Sequence, residues 1–537
     1  MIDTYLNNYR RESTDNYTWM VKNEDAIRTP GIDERCNVEY IQAFLDKTLK
    51  NVRVTKAEIN NTGHYDAPMW LWMMPDGEDT ISVDNLPEYC HVEVEREMNA
   101  GYEKILVWVP TVWCGRYISE NGAALRTNYM WEFSDPMAEP VDLGSIQAIS
   151  PVLAIRNGFA CSNSDGAIRN PSIESWPLDP ETGIVDKEKI RNYVWTAGHY
   201  NAVIGKLVTE ALTGEKPAYS YAQGCSGGGR NCMQMARNTP QDFDALFAWA
   251  PPISWVKCLA EFFWVNSVMH DLGDYLPYEK LDVFRDAVIA KYGGLKKYQQ
   301  LKGRPTFDAR ECIGAQSERG EITELDAKVM NLIWRGPVDE NGTLLAPGWR
   351  PGVKFYGGLG FAYVDAREEE LVPVRYSVLD TFATWAYGDF NWDWNTVTME
   401  NFGEFYRDSY ARFAEMGASQ DDANYLELAN CGTKLIMAVG TDDDCVNPQV
   451  ILDFYNEINR IVSKGDMEKT REFCRFFYLP GMVHSRLDYL GAGPTIVSMV
   501  NAMMDWAEDG LAPDTLHCIH ADADSGEFDY EADIACY

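Results

Sequence analysis

One short stretch of the chain has the residue types and spacing of a serine nucleophile. Gly224-Cys-Ser-Gly-Gly228 fits the pattern G-x-S-x-G, which places a serine hydroxyl on a sharp turn between a strand and a helix. Glycines are needed there because a side chain would collide with the neighbouring strand or helix. Residues 218–222 favour a strand and residues 231–237 a helix. The alternative is an ordinary glycine-rich turn, so the motif needs partners elsewhere in the chain.

A serine nucleophile requires a base that takes its proton and an acid that orients the base. On a parallel sheet these partners follow in the order serine, acid, histidine, each after a later strand. Strand-like residues 433–440 precede three aspartates, and strand-like residues 474–480 precede His484. The spacing G-x-x-D selects Asp443 as the acid, while Asp442 and Asp444 are competing candidates whose alternative place is a solvated turn.

The oxyanion formed during nucleophilic attack needs two fixed hydrogen-bond donors. The backbone N–H of Gly227, which follows Ser226, is the first candidate. An early strand-to-helix loop usually supplies the second donor, and residues 113–123 contain Gly122 and Ala123 as alternatives. A glycine-bearing loop can also be an ordinary turn.

Composition and charge restrict the class of protein. The chain has 82 acidic and 47 basic residues and a formal net charge of −35. Such a surface repels phosphate backbones and anionic membranes, so we expect neither nucleic acid nor membrane as a partner. The sequence contains no run of 18 apolar residues and therefore predicts no membrane span. The first residues lack the features of a secretory signal, so we expect a cytoplasmic protein or, alternatively, a secreted one whose signal is absent from this numbering.

The alternation of strand and helix patterns predicts an α/β fold with a mostly parallel sheet. Residues 91–96 and 104–110 predict a hairpin at the edge of this sheet. Residues 255–425 are rich in aromatic residues and turns, and are far longer than a strand-helix-strand connection requires. The predicted domains are therefore a catalytic core, residues 1–254 and 426–537 with an N-terminal extension 1–60, and an inserted lid domain, residues 255–425.

A series of ordered motifs resembles the tannase and feruloyl esterase family of α/β-hydrolases. The similar segments are Leu86-Pro-Glu-Tyr-Cys-His-Val92, Trp113-Cys-Gly-Arg-Tyr117, Glu120-Asn-Gly-Ala123, Gly224-Cys-Ser-Gly-Gly-Gly-Arg230, residues 239–251, Asn391-Trp-Asp-Trp394 and Pro480-Gly-Met-Val-His484. The resemblance covers most of the chain. It implies an α/β-hydrolase core with a large inserted lid, in which Ser226 is the nucleophile, Asp443 the acid and His484 the base.

The same resemblance implies a serine carboxylesterase that hydrolyses esters of phenolic or aromatic acids through an acyl-enzyme, without a cofactor. Its partner would be a small aromatic ester of galloyl, feruloyl or caffeoyl type. Candidates to stack on the acyl ring are Trp385, Tyr387, Trp392 and Trp394, whose alternative role is packing within the lid. Two other functions stay open: an acyltransferase or other serine hydrolase on the same triad, and a non-catalytic binding protein of hydrolase fold.

The cysteines depart from the family pattern. The family links the cysteine before the nucleophile to a cysteine directly after the histidine, but here Ser485 stands at the second position. Cys225 is therefore either a small buried residue or a partner for Cys445. Other cysteines occupy positions that are bridged in many family members, and in a reducing cytoplasm they would be thiols. These are Cys36, Cys90, Cys518 and Cys536.

Many fungal members of the family hold calcium in the lid. The corresponding residues 284–289 keep only Asp286 as a carboxylate, which gives too few oxygen ligands for the ion. We therefore predict no metal.

Overall fold

The computed structural model describes most of the chain. The described ranges are residues 27–68, 80–99, 101–122, 151–168, 176–179, 181–301, 303–355, 362–364, 371–373, 382, 384–389, 391–484, 491–521 and 528–537.

Eighteen strands lie within the described residues. They are β1 (Val52–Asn60), β2 (His64–Pro68), β3 (Thr80–Asp84), β4 (Tyr89–Met98), β5 (Gly101–Pro110), β6 (Arg116–Glu120), β7 (Ala160–Ser164), β8 (Tyr219–Cys225), β9 (Ala245–Trp249), β10 (Gln316–Ser317), β11 (Gly320–Glu321), β12 (Ala362–Val364), β13 (Leu371–Pro373), β14 (Lys434–Gly440), β15 (Cys474–Leu479), β16 (Gly493–Pro494), β17 (Thr515–Ala521) and β18 (Phe528–Ala535).

Fifteen α-helices of the same residues are numbered here, and residues 384–387 are helical as well. They are α1 (Ile32–Arg35), α2 (Val38–Leu45), α3 (Pro151–Arg156), α4 (Lys187–Arg191), α5 (Ala197–Thr213), α6 (Gly227–Asn238), α7 (Trp255–Leu272), α8 (Tyr278–Lys291), α9 (Leu295–Gln299), α10 (Glu324–Arg335), α11 (Phe402–Glu415), α12 (Leu426–Cys431), α13 (Pro448–Val462), α14 (Met467–Arg471) and α15 (Ile496–Asp509). A turn of π-helix, Asn192–Thr196, joins α4 to α5.

A nine-stranded sheet in the order β1-β4-β5-β7-β6-β8-β9-β14-β15 forms the centre of the fold. The pairs from β7 to β15 are parallel. The first three strands pair antiparallel, and so do β5 and β7. Strands β9 and β14 are almost completely buried, as expected for central parallel strands with both faces covered. The predicted mostly parallel sheet is therefore confirmed.

The predicted hairpin exists, but its predicted place at the edge of the sheet is wrong. Strands β4 and β5 pair from Tyr89 opposite Pro110 to Met98 opposite Gly101. Strand β1 pairs antiparallel with the outer side of β4 and forms the edge itself. Residues 52–60, which we assigned to an N-terminal extension, therefore belong to the central sheet. Their polar composition fits an edge strand, because only part of such a strand is buried.

The buried apolar side chains form two clusters. The sheet cluster surrounds the nine strands and includes residues from 32 to 258 and from 423 to 519. The insertion cluster consists mainly of residues 255–418, and it also includes five residues from the earlier stretch 168–194. The insertion thus has a core of its own, to which the chain before β8 contributes. The division into a core and a lid domain at residues 254 and 426 remains a prediction.

Among the described residues, none of the helices is both long enough and apolar enough to span a bilayer.

Candidate functional site

Four loops that carry predicted site residues begin at the carboxyl ends of strands in the central sheet. Because β6, β8, β9, β14 and β15 run parallel, their carboxyl ends lie together. Gly122 follows β6, Ser226 follows β8, Asp443 follows β14 and His484 follows β15. The topology therefore brings residues from distant parts of the sequence together at the carboxyl ends of the parallel strands.

Ser226 occupies a strained turn between β8 and α6. Its φ is 54° and its ψ is −118°, a region that non-glycine residues rarely adopt. The backbone N–H of Ser226 donates to the carbonyl oxygen of Trp249 at 2.9 Å, and the N–H of Arg230 donates to the Ser226 oxygen at 2.9 Å. Strained backbone of this kind persists only where the surroundings hold it, and it is concentrated at functional sites.

Glycines surround Ser226 because other backbone comes very close. A Cβ on Gly224 would lie 2.4 Å from the carbonyl carbon of Gly228. A Cβ on Gly228 would lie 1.9 Å from the oxygen of Gly122, in the loop after β6. The predicted steric reason for the glycines is thus confirmed, and the second contact shows that the loop after β6 packs directly on the turn.

Asp443 and His484 form a hydrogen-bonded pair. His484 Nδ1 lies 2.8 Å from Asp443 Oδ2 and 3.0 Å from Oδ1. Asp443 is completely buried, and its Oδ1 also accepts the N–H groups of Cys445 and Val446, each at 2.8 Å. These bonds fix the carboxylate in the orientation that holds the imidazole.

The charge around His484 favours its protonated form. Burial lowers the pKa of His484, whereas the Asp443 carboxylate and, more weakly, Asp444 raise it. The two carboxylates outweigh burial, so the pKa lies above its ordinary value. A base whose protonated form is stabilised by an adjacent carboxylate is suited to take a proton from a serine hydroxyl.

The histidine loop is held by contacts other than a disulfide. The indole N–H of Trp249 donates to the carbonyl oxygen of His484 at 2.8 Å. The N–H of Asp442 donates to the Met482 oxygen at 3.1 Å. Gly440 is so close to this loop that a Cβ there would lie 1.9 Å from the same Met482 oxygen. The backbone carbonyl oxygen of Trp249 also accepts the Ser226 N–H. One buried residue therefore contacts both the serine turn and the histidine loop.

Asp442 and Asp444 do not lie on a solvated turn, so this alternative for them is wrong. Both are buried, with 0% and 4% of their surfaces exposed. The Tyr298 hydroxyl donates to Asp442 Oδ1 at 2.9 Å, and Arg350 Nε lies 3.7 Å from the same oxygen. Burial raises the pKa of Asp442, although the nearby Arg350 opposes this effect. Asp442 therefore connects the acid loop to the insertion.

A second polar contact joins the acid loop to the insertion. Asn447 caps α13 by accepting the N–H of Gln449 at 2.9 Å. Its side-chain amide donates to Glu261 Oε2 of α7 at 2.7 Å. Burial raises the pKa of Glu261 well above its ordinary value, although the hydrogen bond from Asn447 opposes this effect. The insertion thus fixes both sides of the loop that carries Asp443.

The predicted oxyanion donors differ in their surroundings. Gly227 is the first residue of α6, so its N–H has no intrahelical acceptor and points outward at the positive end of the helix. The N–H of Gly122 donates to Glu120 Oε1 at 2.5 Å and is therefore engaged by a carboxylate. Ala123, the alternative donor, lies outside the described residues.

The four predicted substrate-binding aromatic residues pack in the insertion cluster. Trp385 is 2% exposed and contacts Tyr193 edge-on, with ring centroids 4.9 Å apart. Tyr387 and Trp392 are half-buried and stack on each other at 4.7 Å. Trp394, also half-buried, packs against the same cluster. These contacts favour the alternative of packing within the insertion, and contact with a substrate remains a prediction.

The thirteen cysteines all lie in described residues, and all are free thiols in this structure. Cys225 is 1% exposed, and burial raises its pKa well above the ordinary value. Cys445 is partly exposed, and desolvation raises its pKa as well. A buried, neutral thiol acts as a small apolar residue.

The described residues 284–289 do not fit a calcium ion. Asp286 lies on α8, and its carboxylate pairs with Arg285 at 2.8 Å. Among the residues that the structure describes, no three histidine, cysteine or acidic side chains are grouped so as to hold a metal. The absence of a metal from the protein remains a prediction.

Trp249 was not singled out by the sequence reasoning. It stands in the segment 239–251. The family pattern that this segment resembles, Y-P-E-D-F-D-G-I-V-A-G-A-P, has a glycine at the position of Trp249. This departure, together with Ser485 in place of cysteine, is the signal that could have identified a different support for the histidine loop.

Comparison with known proteins gives consistent results. The family described as tannase and feruloyl esterase matches residues 88–532. A probable feruloyl esterase of Arthroderma benhamiae is 26% identical over 454 residues, which cover 81% of this chain and 79% of the relative. A probable feruloyl esterase B-1 of Aspergillus terreus is 24% identical over 533 residues, or 93% of this chain and 90% of the relative.

The fold is similar to that of a solved structure. Tannin acyl hydrolase from Aspergillus niger superposes with a TM-score of 0.75 at 17% identity, covering 95% of this chain and 93% of that chain. At this identity the similarity concerns the fold alone. It confirms the predicted α/β-hydrolase core.

Proposed function

Because the chain belongs to the tannase and feruloyl esterase family, we propose that it is a serine carboxylesterase that hydrolyses esters of phenolic or other aromatic acids. The observation that carries the proposal is the Asp443–His484 pair. It lies at the carboxyl ends of the parallel strands, where the strained Ser226 turn also lies. The names of the relatives favour an aromatic acyl group. The net charge of −35 further supports a small ester, rather than a nucleic acid, as the partner.

The reaction would begin with attack of Ser226 Oγ on the ester carbonyl carbon. His484 Nε2 takes the serine proton, while Asp443 holds Nδ1 and stabilises the imidazolium that forms. The negative charge of the tetrahedral intermediate develops next to the Gly227 N–H, and a second donor would come from the loop at residues 122–123. His484 then protonates the leaving alcohol, and the acyl group remains on Ser226.

Deacylation repeats these steps with water. His484 takes a proton from water, which attacks the acyl carbonyl and releases the aromatic acid from Ser226. The chemistry of ester hydrolysis requires no cofactor.

The test is Ser226→Ala, assayed with methyl gallate, methyl ferulate and caffeoylquinate. We expect kcat to fall by about 10³-fold or more without a change in the unfolding midpoint. A fluorophosphonate probe should label the wild type and leave the variant unlabelled. Retained hydrolysis by the variant would show that Ser226 is not the nucleophile, and transfer of the acyl group to a competing alcohol in preference to water would indicate an acyltransferase.

A further inference from the structure

Arg230 is a completely buried cation that has no acidic partner among the described residues. Other buried arginines of the chain are neutralised; Arg96 Nε, for example, lies 2.6 Å from Glu103 Oε1. Within the described part of the chain, the Arg230 side chain donates one hydrogen bond, from Nη2 to Asn231 Oδ1 at 2.9 Å, and this acceptor is uncharged. A buried charge without a counter-charge is strongly unfavourable unless a ligand supplies one.

The other nitrogens of Arg230 face aromatic rings. Nε and Nη1 meet no hydrogen-bond acceptor among the residues that the structure describes. The guanidinium carbon lies 4.0 Å from the centre of the Tyr193 ring and 5.6 Å from that of Trp255. Cation–π contacts stabilise the charge but leave the N–H donors unsatisfied. Burial raises the pKa of Tyr193, so this phenol stays neutral and does not balance the charge.

The neighbouring side chains add further hydrogen-bond donors. The Trp255 indole nitrogen and the Tyr193 hydroxyl are buried and have no hydrogen-bond partner in the described ranges. The same is true of the indole nitrogens of Trp385 and Trp176. The Trp385 ring lies 4.9 Å from the Tyr193 ring and 6.1 Å from the Trp176 ring, measured between centroids. An indole nitrogen donates only. The cluster thus combines a positive charge, several donors and apolar ring faces.

This cluster lies close to the predicted reaction centre. Arg230 is on α6, one turn after Ser226, and its own backbone N–H donates to the Ser226 carbonyl oxygen at 2.9 Å. Trp255 is the first residue of α7, which follows β9 at the same edge of the sheet. An anion held here would be next to the serine turn, at the contact between the sheet cluster and the insertion cluster.

We propose that Arg230 and Trp255 form a binding site for a carboxylate. The anion supplies the missing negative charge and two acceptor oxygens for charge-assisted hydrogen bonds, and the aromatic walls favour an organic acid over an inorganic phosphate. Two sources share this chemistry: a free carboxylate group on the ester substrate, which rests on the proposed function, and a separate small acid, which does not. Because Arg230 is enclosed, entry of the anion requires movement of the surrounding rings.

Binding is tested directly by calorimetric titration with benzoate and, as the neutral counterpart, benzamide. We expect benzoate to bind the wild type and its affinity to fall about 10- to 100-fold in Arg230→Gln, the range of a lost charged hydrogen bond. Trp255→Phe keeps an aromatic ring and removes only the indole donor, so it should weaken benzoate binding less. Trp349→Phe, which removes an unpartnered buried indole N–H elsewhere in the insertion cluster, is the matched control and should bind like the wild type.

The source of the carboxylate is identified with caffeoylquinate and its carboxamide. If the substrate supplies the anion, Arg230→Gln lowers kcat/KM for caffeoylquinate and leaves that for the carboxamide unchanged. If a separate acid is bound, benzoate affinity falls but both substrates react as with the wild type. Should Arg230→Gln not fold, Trp255→Phe carries the same comparisons.

The proposal is overturned if benzoate fails to bind the wild type, or binds Arg230→Gln and Trp255→Phe as tightly as the wild type; the cluster would then hold water only. This outcome is separate from a failure of the proposed function. The titration requires no catalysis, whereas loss of the esterase proposal would be seen as a neutral ester that the wild type does not hydrolyse.

Discussion

Replacing Trp249 with phenylalanine tests whether one buried side chain positions the histidine loop. The substitution removes the indole N–H that donates to the His484 oxygen at 2.8 Å and keeps an aromatic ring in the same place. The backbone bond from the Ser226 N–H to the Trp249 oxygen does not depend on the side chain. The serine turn should therefore be preserved while the histidine loop loses a support.

The expected cost in stability has two parts. Leaving the buried carbonyl of His484 without this donor costs about 1–3 kcal/mol. The smaller ring adds about 24 cal/mol for each Å³ of cavity that does not close. Trp249 is completely buried, so both parts apply in full, and we expect the free energy of unfolding to fall by about 2–4 kcal/mol.

The expected effect on catalysis is larger in kcat than in KM. A displacement of about 1 Å in a catalytic group costs about 100-fold in rate, so a partly displaced His484 should lower kcat by about 10- to 100-fold. KM for methyl ferulate should change little, because the substitution affects a group that acts in the transition state. Steady-state kinetics and urea unfolding on the same preparation measure both quantities.

Trp264→Phe is the matched control for this experiment. The Trp264 indole N–H donates to the carbonyl oxygen of Leu332 at 2.9 Å, the same type of bond within the insertion cluster. This variant should lose comparable stability and keep the wild-type kcat. If Trp249→Phe also keeps the wild-type kcat despite its loss of stability, the proposed positioning role is incorrect.

Two further substitutions probe the acid and the packing of its loop. Because Asp443 raises the pKa of His484 above its ordinary value and only the neutral histidine accepts a proton, kcat/KM should fall as the pH decreases through this raised pKa. Asp443→Asn should move this fall to lower pH and reduce kcat by about 10³- to 10⁴-fold; an unchanged pH profile would argue against the pairing. Gly440→Ala places a Cβ 1.9 Å from a carbonyl oxygen of the histidine loop, so we expect a loss of about 1–3 kcal/mol or more in unfolding free energy together with lower activity. Gly303→Ala, where a Cβ would meet nothing within 4 Å, is the control, and equal effects of the two alanines would contradict the steric argument.

The sequence locates those site residues whose positions follow from a local motif or from the topology of a parallel sheet. The turn around Ser226 is specified by its own glycines, and the places of Asp443 and His484 follow from the rule that functional loops leave the carboxyl ends of parallel strands. The structure brings Asp443 and His484 into contact. The roles of these residues in catalysis remain predictions that the proposed substitutions test.

Contacts between distant segments could not be read from composition. The edge strand β1 was assigned to an extension because its side chains are polar, and pairing with β4 is a long-range property. For Asp442 the sequence alternatively predicts a solvated turn, because three consecutive acids usually face water. In the structure, Tyr298 and Arg350 of the insertion contact Asp442 and bury it. A charged residue shows its burial only when its partner is known.

The aromatic residues of the insertion illustrate a different limit. Trp385 was a candidate for substrate stacking on its residue type alone, but burial in a separate apolar cluster accounts for the same residue type. Sequence does not distinguish an aromatic side chain that packs from one that binds. The cytoplasmic location and the absence of nucleic-acid binding likewise stay predictions, since both rest on composition or on the first residues.

The two bonds of Trp249 have a consequence for local unfolding. Its carbonyl accepts the Ser226 N–H and its indole donates to His484, so the serine turn and the histidine loop are both attached to the last residue of the central strand β9. Opening of either segment must break a contact with the same rigid residue, which favours opening of the two as one cooperative unit. In native-state hydrogen exchange, the amide protons of both segments should therefore share a single opening free energy, close to that of β9 itself.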